Sequence, residues 1–235
     1  NWLRKKGTRF LLLLGGFFFL IGSTAFAIAY FTTDIPDPND YVNSQATIIQ
    51  YSNGDEVGRI GAQNRTIIPL ARIPLDLRHA VLAAEDKSFY SQWAFNPIAI
   101  MRGAFNTAIG RGLQGGSTIT QQYAKTAFLT PDRTIQRKIV ELIIAIKLEN
   151  QLSKDEIFEN YLNTIYFGRG AYGVETGSQV YFGRGADQLS IPQAAVLASI
   201  LRSPGYYDPD YREGNKERLE ARYKYVIKNM LDEGW

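Results

Sequence analysis

The sequence contains no cysteine and a single histidine among its 235 residues. The absence of cysteine excludes a thiol nucleophile and thiolate metal sites, and it agrees with an exported domain that needs no disulfides. His79 falls within an apolar helical pattern and is interpreted as an ordinary helix residue. We therefore expect no histidine-based triad and no imidazole metal cluster.

The chain also lacks a basic excess once its first nine residues are set aside. Four of its 26 Lys and Arg residues stand there, and the remaining 22 face 23 Asp and Glu residues. A nucleic-acid-binding domain would be basic. No nucleic-acid partner is therefore expected.

Charged residues are absent from residues 10–33, a run of 24 residues long enough to cross about 30 Å of hydrocarbon. The cations before this run and Asp34 after it place residues 1–9 in the cytoplasm and the rest of the chain outside. A cleaved signal peptide, ending at a site such as Ala25-Phe26-Ala27, is the alternative, but its apolar core would be shorter. The pattern favours an uncleaved single-pass anchor.

The exported part is predicted to be one mostly α domain over residues 46–235. Residues 34–45 indicate a polar, proline-stiffened stalk, and residues 46–60 a small β-hairpin that turns at Asn53-Gly54. The stretch 163–189, rich in glycine and aromatic residues, is expected to be mostly loop with short helices. Cap and stop signals predict helices over residues 75–85, 96–110, 131–151 and 215–231. Two further helices are predicted to begin at capping boxes, one at Ser153 and one at Ser190.

The run from Gly115 to Gln122 concentrates neutral hydrogen-bonding groups behind two glycines. Glycines let backbone N–H groups approach a ligand closely, and hydroxyls and amides can bind sugar hydroxyls or phosphate oxygens without adding charge. The run is not a Walker loop, because no Gly-Lys-Ser/Thr follows it. The structural alternative is a Gly-Gly turn with Ser117 as the N-cap of the next helix.

Two carboxylates, Glu85 and Asp86, stand where an apolar helix is predicted to end. Apolar neighbours raise the pKa of a carboxyl group toward neutrality, which suits general acid–base work. A solvated helix end is the alternative. Acidic groups oppose the macrodipole at a helix C-terminus, so their placement favours function.

A second group of charges consists of Arg137, Lys138 and Glu141, which share one helical face. A surface ion pair is the alternative interpretation. With Lys125 nearby, the two cations are suited to bind a diphosphate. Glu159, on a short helix, is expected to serve structure more than chemistry.

Five ordered segments resemble the peptidoglycan glycosyltransferase (transglycosylase, family 51) domain of class A penicillin-binding proteins and monofunctional transglycosylases. The resemblance runs from about residue 46 to the end. The segments are Glu85–Tyr90, Gly115–Gln122 with Lys125, Arg137–Glu141, Ile157–Asn163 and the weaker Arg222–Met230.

The resemblance implies a lysozyme-like α fold, following a transmembrane helix and a short β-hairpin region. It implies polymerisation of lipid II into β-1,4-linked glycan at the outer face of a bacterial cytoplasmic membrane, with inversion and release of undecaprenyl diphosphate. Glu85 would be the base for the acceptor 4-hydroxyl. Glu141 would support diphosphate departure, directly or through a divalent cation such as Mg²⁺ or Mn²⁺, with no organic cofactor. Preorganised cations would stabilise the developing charge.

Further roles follow from the same resemblance. The implied partners are lipid II, the growing lipid-linked glycan, the membrane, and cell-wall synthesis and division or elongation proteins. An apolar jaw, for which core packing is the alternative, would hold the lipid tail with Ile98, Ile100, Met101, Phe105 and Ile109. The expected substrate-binding residues are Asp86, Phe89, Ser117, Thr118, Gln121, Gln122, Lys125, Arg137, Lys138, Glu159 and Asn163.

The sequence departs from the family pattern beside the expected base. Gln92 and Ala94 replace the usual His and Gly, Asn96 replaces Asp, and Thr126 stands where Asn is common, which puts acceptor-site detail in doubt. The ending at Trp235 and the missing initial Met indicate a truncated chain whose transpeptidase domain is absent. The alternatives are a lysozyme-like muramidase and a catalytically dead membrane-anchored scaffold.

Overall fold

A computed structural model describes residues 2–35, 47–53, 56–60, 64–94, 117–130 and 134–235 of the chain. Helices predominate in these ranges, which confirms the mostly α class. The stalk, the helix predicted over 96–110 with its apolar jaw, and the pair Gly115-Gly116 lie outside the described residues.

The elements follow one another along the chain with short connections where both ends are described. The strands are β1 (Thr47–Gln50), β2 (Glu56–Ile60), β3 (Asn64–Arg65), β4 (Tyr166–Gly168) and β5 (Ala171–Tyr172). The α-helices are α1 (Trp2–Thr32), α2 (Leu75–Glu85), α3 (Ile119–Phe128), α4 (Ile135–Gln151), α5 (Lys154–Thr164), α6 (Val174–Phe182), α7 (Ile191–Leu201), the one-turn α8 (Pro204–Tyr207) and α9 (Asn215–Asp232).

Helix α1 contains a segment, Leu13–Thr32, that is long and apolar enough to cross a membrane by length and composition. Its C-terminal end contacts α4. Lys147 Nζ donates a hydrogen bond to the Thr33 carbonyl and lies 5.0 Å from the centre of the Tyr30 ring. The long apolar helix and the helical domain are therefore joined by polar contacts at one point on α4.

Local capping sets the starts of α4 and α5. Helix α4 begins at Ile135, later than the expected start at residue 131, because the Thr134 hydroxyl accepts the Arg137 N–H at 3.1 Å. The predicted capping box of α5 is confirmed, since the Glu156 carboxylate accepts the Ser153 N–H at 2.7 Å.

The stretch 163–189 is more ordered than the sequence predicts. Strand β5 pairs with β4 in antiparallel and with β3 in parallel orientation, in the order β3-β5-β4. Gly173 then turns the chain into α6 with φ of 79°, and a Cβ there would lie 2.8 Å from the Asn163 carbonyl oxygen. Only glycine allows this close approach of the turn to α5.

The described helices that carry the core form two groups. Helix α2 packs against α7 and α9, while α3 packs against α4 and α5. Small buried side chains on α7, among them Ala194, Ala195 and Ala198, allow close helix approach. The groups meet at the end of α2, where Asp86 Oδ2 accepts the backbone N–H of Ile119 at 3.1 Å.

Strands β1 and β2 pair in antiparallel orientation, with Thr47 opposite Ile60. The residues 54–55 that join them lie outside the described part of the chain. This two-stranded sheet is separate from the β3-β5-β4 sheet.

Candidate active site

A polar cleft of about 350 Å³ opens between the two groups of helices. The end of α2 and the residue after α7 form one end, and α3 and α4 form the other. The lining residues are Glu85, Ser117, Gln122, Lys125, Arg137, Lys138, Glu141 and Arg202. Both carboxylates predicted to be catalytic therefore line one cleft.

Glu85 is almost fully buried, with 8% of its side chain exposed. Its Oε1 accepts a hydrogen bond from Arg222 Nη2, and its Oε2 accepts one from Gln122 Nε2, both at 3.1 Å. Burial raises the pKa of the Glu85 carboxyl group above its ordinary value, while Arg222 and Gln122 act in the opposite direction. Such opposed effects suit a carboxylate that must exchange a proton near neutral pH.

The opposite wall of the cleft carries the charges of α4. Lys138 Nζ donates to Glu141 Oε1, and it also donates to Ser117 Oγ at 2.9 Å. Arg137 Nη2 lies 3.8 Å from Glu141 Oε2. Spacings of three and four residues bring these side chains together on one helical face, as the sequence predicts.

Several buried polar atoms on this wall have no hydrogen-bond partner among the described residues. They are Nε and Nη1 of Arg137 and Oε2 of Glu141. Unpaired buried polar groups are costly and rare in native proteins, and a polar ligand, water or a residue outside the described ranges can supply the partner. Lys125, exposed on α3, adds a further cation to the cleft lining.

Three predicted substrate-binding residues have buried side chains and are not among the residues that line the cleft. Phe89 is fully buried, with its ring centre 5.6 Å from that of Phe158. Thr118 caps α3 and donates to the Ala94 carbonyl at 2.9 Å, and Gln121 Nε2 donates to the same oxygen at 3.1 Å. These contacts support the base of the cleft, and none of the three residues is in the cleft lining, so their predicted contact with substrate stays a prediction.

Three more predicted binding residues have structural partners instead of a place in the cleft lining. Asp86 is 9% exposed and accepts hydrogen bonds from Ile119 N and Gln92 Nε2. The Asn163 side chain bonds both backbone groups of Ile68, at 3.0 and 2.8 Å. Glu159 Oε2 accepts the Leu70 N–H at 2.6 Å, which agrees with the expectation that Glu159 serves structure more than chemistry.

Three residues near Glu85 received no role from sequence reasoning. Arg222 lies 137 residues away in sequence, and only the weakest matching segment marked it. Tyr161 belongs to the fourth segment, and its hydroxyl donates to Gln122 Oε1 at 3.1 Å. Arg202 had no local signal, since a single exposed arginine after an apolar helix is common.

Metal-binding capacity is limited in the described part of the chain. No group of three or more His, Cys, Asp or Glu side chains that could hold a metal ion occurs there. Glu141 Oε2, buried and without a hydrogen-bond partner among the described residues, remains one carboxylate oxygen that a cation could approach.

Comparison with known proteins identifies the family. Residues 53–231 match the family model described as transglycosylase, so the chain belongs to the transglycosylase family. Penicillin-binding protein 1A of Aquifex aeolicus is 42% identical over 92% of this chain, and that of Mycobacterium tuberculosis is 38% identical over 99%. The match therefore supports a transglycosylase domain of the class A penicillin-binding protein type.

These relatives are much longer than the chain, which spans 30% of the Aquifex protein and 28% of the Mycobacterium protein. A crystal structure of penicillin-binding protein 1A from Haemophilus influenzae is 25% identical and covers 81% of this chain and 18% of its own. Its TM-score is 0.43.

Proposed function

We propose that this chain is a peptidoglycan glycosyltransferase that polymerises lipid II into β-1,4-linked glycan, with inversion and release of undecaprenyl diphosphate. One observation carries the proposal: a buried carboxylate, Glu85, and a cationic wall built by Arg137 and Lys138 line the same cleft. A reaction that joins a sugar hydroxyl to a diphosphate-linked sugar requires both features.

Glu85 is the proposed base. Its carboxylate takes the proton from the acceptor 4-hydroxyl while the hydroxyl oxygen attacks the anomeric carbon of the donor. The bond from that carbon to the diphosphate oxygen breaks on the opposite face, and the electron pair leaves with the diphosphate. A single displacement of this kind inverts the anomeric configuration.

Lys125, Arg137 and Lys138 are proposed to hold the diphosphate. The leaving group gains negative charge as the bond breaks, so fixed cations stabilise the transition state more than the ground state. The unpaired Arg137 Nε and Nη1 support this role, because guanidinium donors suit phosphate oxygens. Gln122 and Ser117 would line the sugar and phosphate path between the two ends.

A divalent cation fits this site only with help from the substrate. Glu141 Oε2 accepts no hydrogen bond among the described residues, so Mg²⁺ or Mn²⁺ would be held by this oxygen together with diphosphate oxygens. When bound, the ion would neutralise charge on the leaving diphosphate. Lys138, already paired with Glu141, would share that task.

The proposed setting is the outer face of a bacterial cytoplasmic membrane. The apolar segment Leu13–Thr32 supports a single-pass anchor, and the four N-terminal cations support an N-terminus in the cytoplasm. Lipid II and the lipid-linked glycan would reach the cleft from the bilayer. Partners in cell-wall synthesis and in division or elongation belong to the same proposal.

The deciding experiment incubates the anchored chain, in detergent, with labelled lipid II and Mg²⁺ or Mn²⁺. We expect polymer from wild type and at least about a hundredfold less from Glu85→Gln, the minimum loss typical of a missing general base. Glu175→Gln is the matched control, because Glu175, on α6, accepts the Ala186 N–H and is not among the residues that line the cleft. Cleavage of glycan without polymerisation, or full activity of Glu85→Gln, would refute the proposal and favour a muramidase or a scaffold.

A further inference from the structure

The Glu85 carboxylate is fixed by one donor on each oxygen. Arg222 Nη2 holds Oε1 and Gln122 Nε2 holds Oε2. A carboxylate offers about four acceptor positions, so these two donors leave lone pairs for a substrate hydroxyl. Arg222 is itself held by a bond to the Ala84 carbonyl at 2.6 Å.

The other donor, Gln122, can help only in one orientation of its side-chain amide. If the amide were turned over, its carbonyl oxygen would face the Glu85 carboxylate, and two acceptors would oppose each other. The orientation with Nε2 toward Glu85 leaves Oε1 pointing away, where it needs a donor. The Tyr161 hydroxyl supplies that hydrogen bond at 3.1 Å.

Tyr161 is well suited to be a permanent donor. Its side chain is 0% exposed, and its ring stacks on that of Phe158 with centres 6.5 Å apart. Burial, followed by the nearby charges of Glu85 and Asp86, raises the pKa of the Tyr161 hydroxyl well above its ordinary value of 10.0. The hydroxyl therefore keeps its proton at neutral pH.

We infer that Tyr161 is a positioning residue: its hydroxyl fixes the Gln122 amide, and that amide holds the Glu85 carboxylate in the plane from which it meets the acceptor. The inference rests on the proposed role of Glu85 as base. It adds a chain of three side chains from α5 through α3 to the end of α2. Tyr161 touches no substrate and acts only through Gln122.

Other charged groups face Glu85 from the elements around it, and they stay in place in the variants below. Arg222 on α9 and Arg202 after α7 both favour the ionised carboxylate, so they lower its pKa. Across the cleft stand Lys125 on α3 and the charges of α4. Loss of the Gln122 bond alone therefore leaves a carboxylate that ionises at higher pH, because one stabilising donor is gone.

The test compares three variants of the anchored chain in lipid II polymerisation: Tyr161→Phe, Gln122→Met and the double variant. For Tyr161→Phe we expect kcat to fall about five- to tenfold, the effect of one lost hydrogen bond. The KM for lipid II should stay within about twofold, and the acidic limb of the pH profile should move to higher pH. Gln122→Met should show the same shift.

The double variant should be no slower than Gln122→Met alone, because Tyr161 then has nothing to orient. Tyr181→Phe is the matched control, since its hydroxyl donates to the Phe167 carbonyl at 2.9 Å and has no link to Glu85. It should leave the pH profile unchanged.

Additive effects of the two substitutions, or a pH profile that Gln122→Met does not move, would overturn the inference. An unmoved pH profile of Gln122→Met would overturn the inference even if Tyr161→Phe proves too unstable to assay. Failure of the wild type to polymerise lipid II would refute the proposed function instead, so the two failures are distinguishable.

Discussion

Removal of Arg222 should make the stability of the protein depend on the protonation of Glu85. The two side chains form an ion pair at 3.1 Å and are 9% and 8% exposed. Two unit charges about 4 Å apart interact by about 4 kcal/mol at an effective dielectric constant near 20. Removing one partner of a buried pair costs about 3–5 kcal/mol, since the other charge is left uncompensated.

The cost of Arg222→Met should therefore be about 4 kcal/mol at pH 8 and smaller at pH 5. Burial already raises the pKa of Glu85 above its ordinary 4.5, and loss of Arg222 raises it further. Between 4.5 and the raised pKa, the folded state holds a proton that the unfolded state has released. Stability of the variant thus falls as pH rises through this window. The part of the stability loss that is the same at both pH values reflects the missing hydrogen bond from Arg222 to the Ala84 carbonyl.

The measurement is chemical denaturation in detergent at both pH values. Arg218→Met, one turn earlier on α9, is the matched control, because Arg218 stacks over Tyr206 and its hydrogen-bond partner within the described part of the chain is the neutral Asn215. Its effect should not change with pH. Combining Arg222→Met with Glu85→Gln should recover much of the loss at pH 8. An equal cost of Arg222→Met at pH 5 and pH 8 would refute the assignment of Glu85 as the charge that Arg222 balances.

Three further variants test the assignments made above. Asn163→Ala should lower the free energy of unfolding by about 3 kcal/mol, because the buried backbone groups of Ile68 lose their partner. The KM for lipid II should stay unchanged, and a raised KM in kinetic assays would support the predicted binding role of Asn163. Gly173→Ala should destabilise the protein by about 2–3 kcal/mol in the same denaturation assay, which is more than the effect of Gly170→Ala. Both glycines have a positive φ, but of the two only Gly173 has another atom within 4 Å of the position that a Cβ would take. Arg202→Gln should lower kcat/KM about threefold and move the acidic limb of the pH–activity profile to higher pH, since this exposed cation favours ionised Glu85. An unchanged pH profile would show that Arg202 does not act on Glu85.

The helices were largely predictable because their signals are local. The capping box at Ser153 and the stop at Glu85 lie within a few residues of the boundaries that they set. The start of α4 was predicted four residues too early, because a proline at residue 131 is typical of a first helical turn, while it is the Thr134 hydroxyl that bonds the helix. The short strands β4 and β5 were missed because two- and three-residue pairings leave no period to recognise.

The site was predictable where one helix carries it and not where distant segments meet. Arg137, Lys138 and Glu141 share a helical face by spacing alone, so their meeting could be expected. Matching segments do not reveal which of their residues point inward: Phe89 and Asn163 belong to such segments and are buried. The contact of Arg222 with Glu85 depends on tertiary packing of α9 on α2, which no local pattern encodes.

Helix α4 bears the cationic wall of the cleft near its start and the contact with α1 near its end. Lys147, which binds the Thr33 carbonyl, follows Lys138 by nine residues, or about 14 Å of helix. With α1 in a bilayer, this segment of α4 would hold the proposed diphosphate-binding residues within about 14 Å of the end of the apolar helix. The diphosphate of the proposed lipid-linked substrate, at the level of the headgroups, would then be within reach of these residues while its tail stays in the lipid. Inserting one helical turn into α4 between these lysines would change the distance between the cationic wall and the contact with α1.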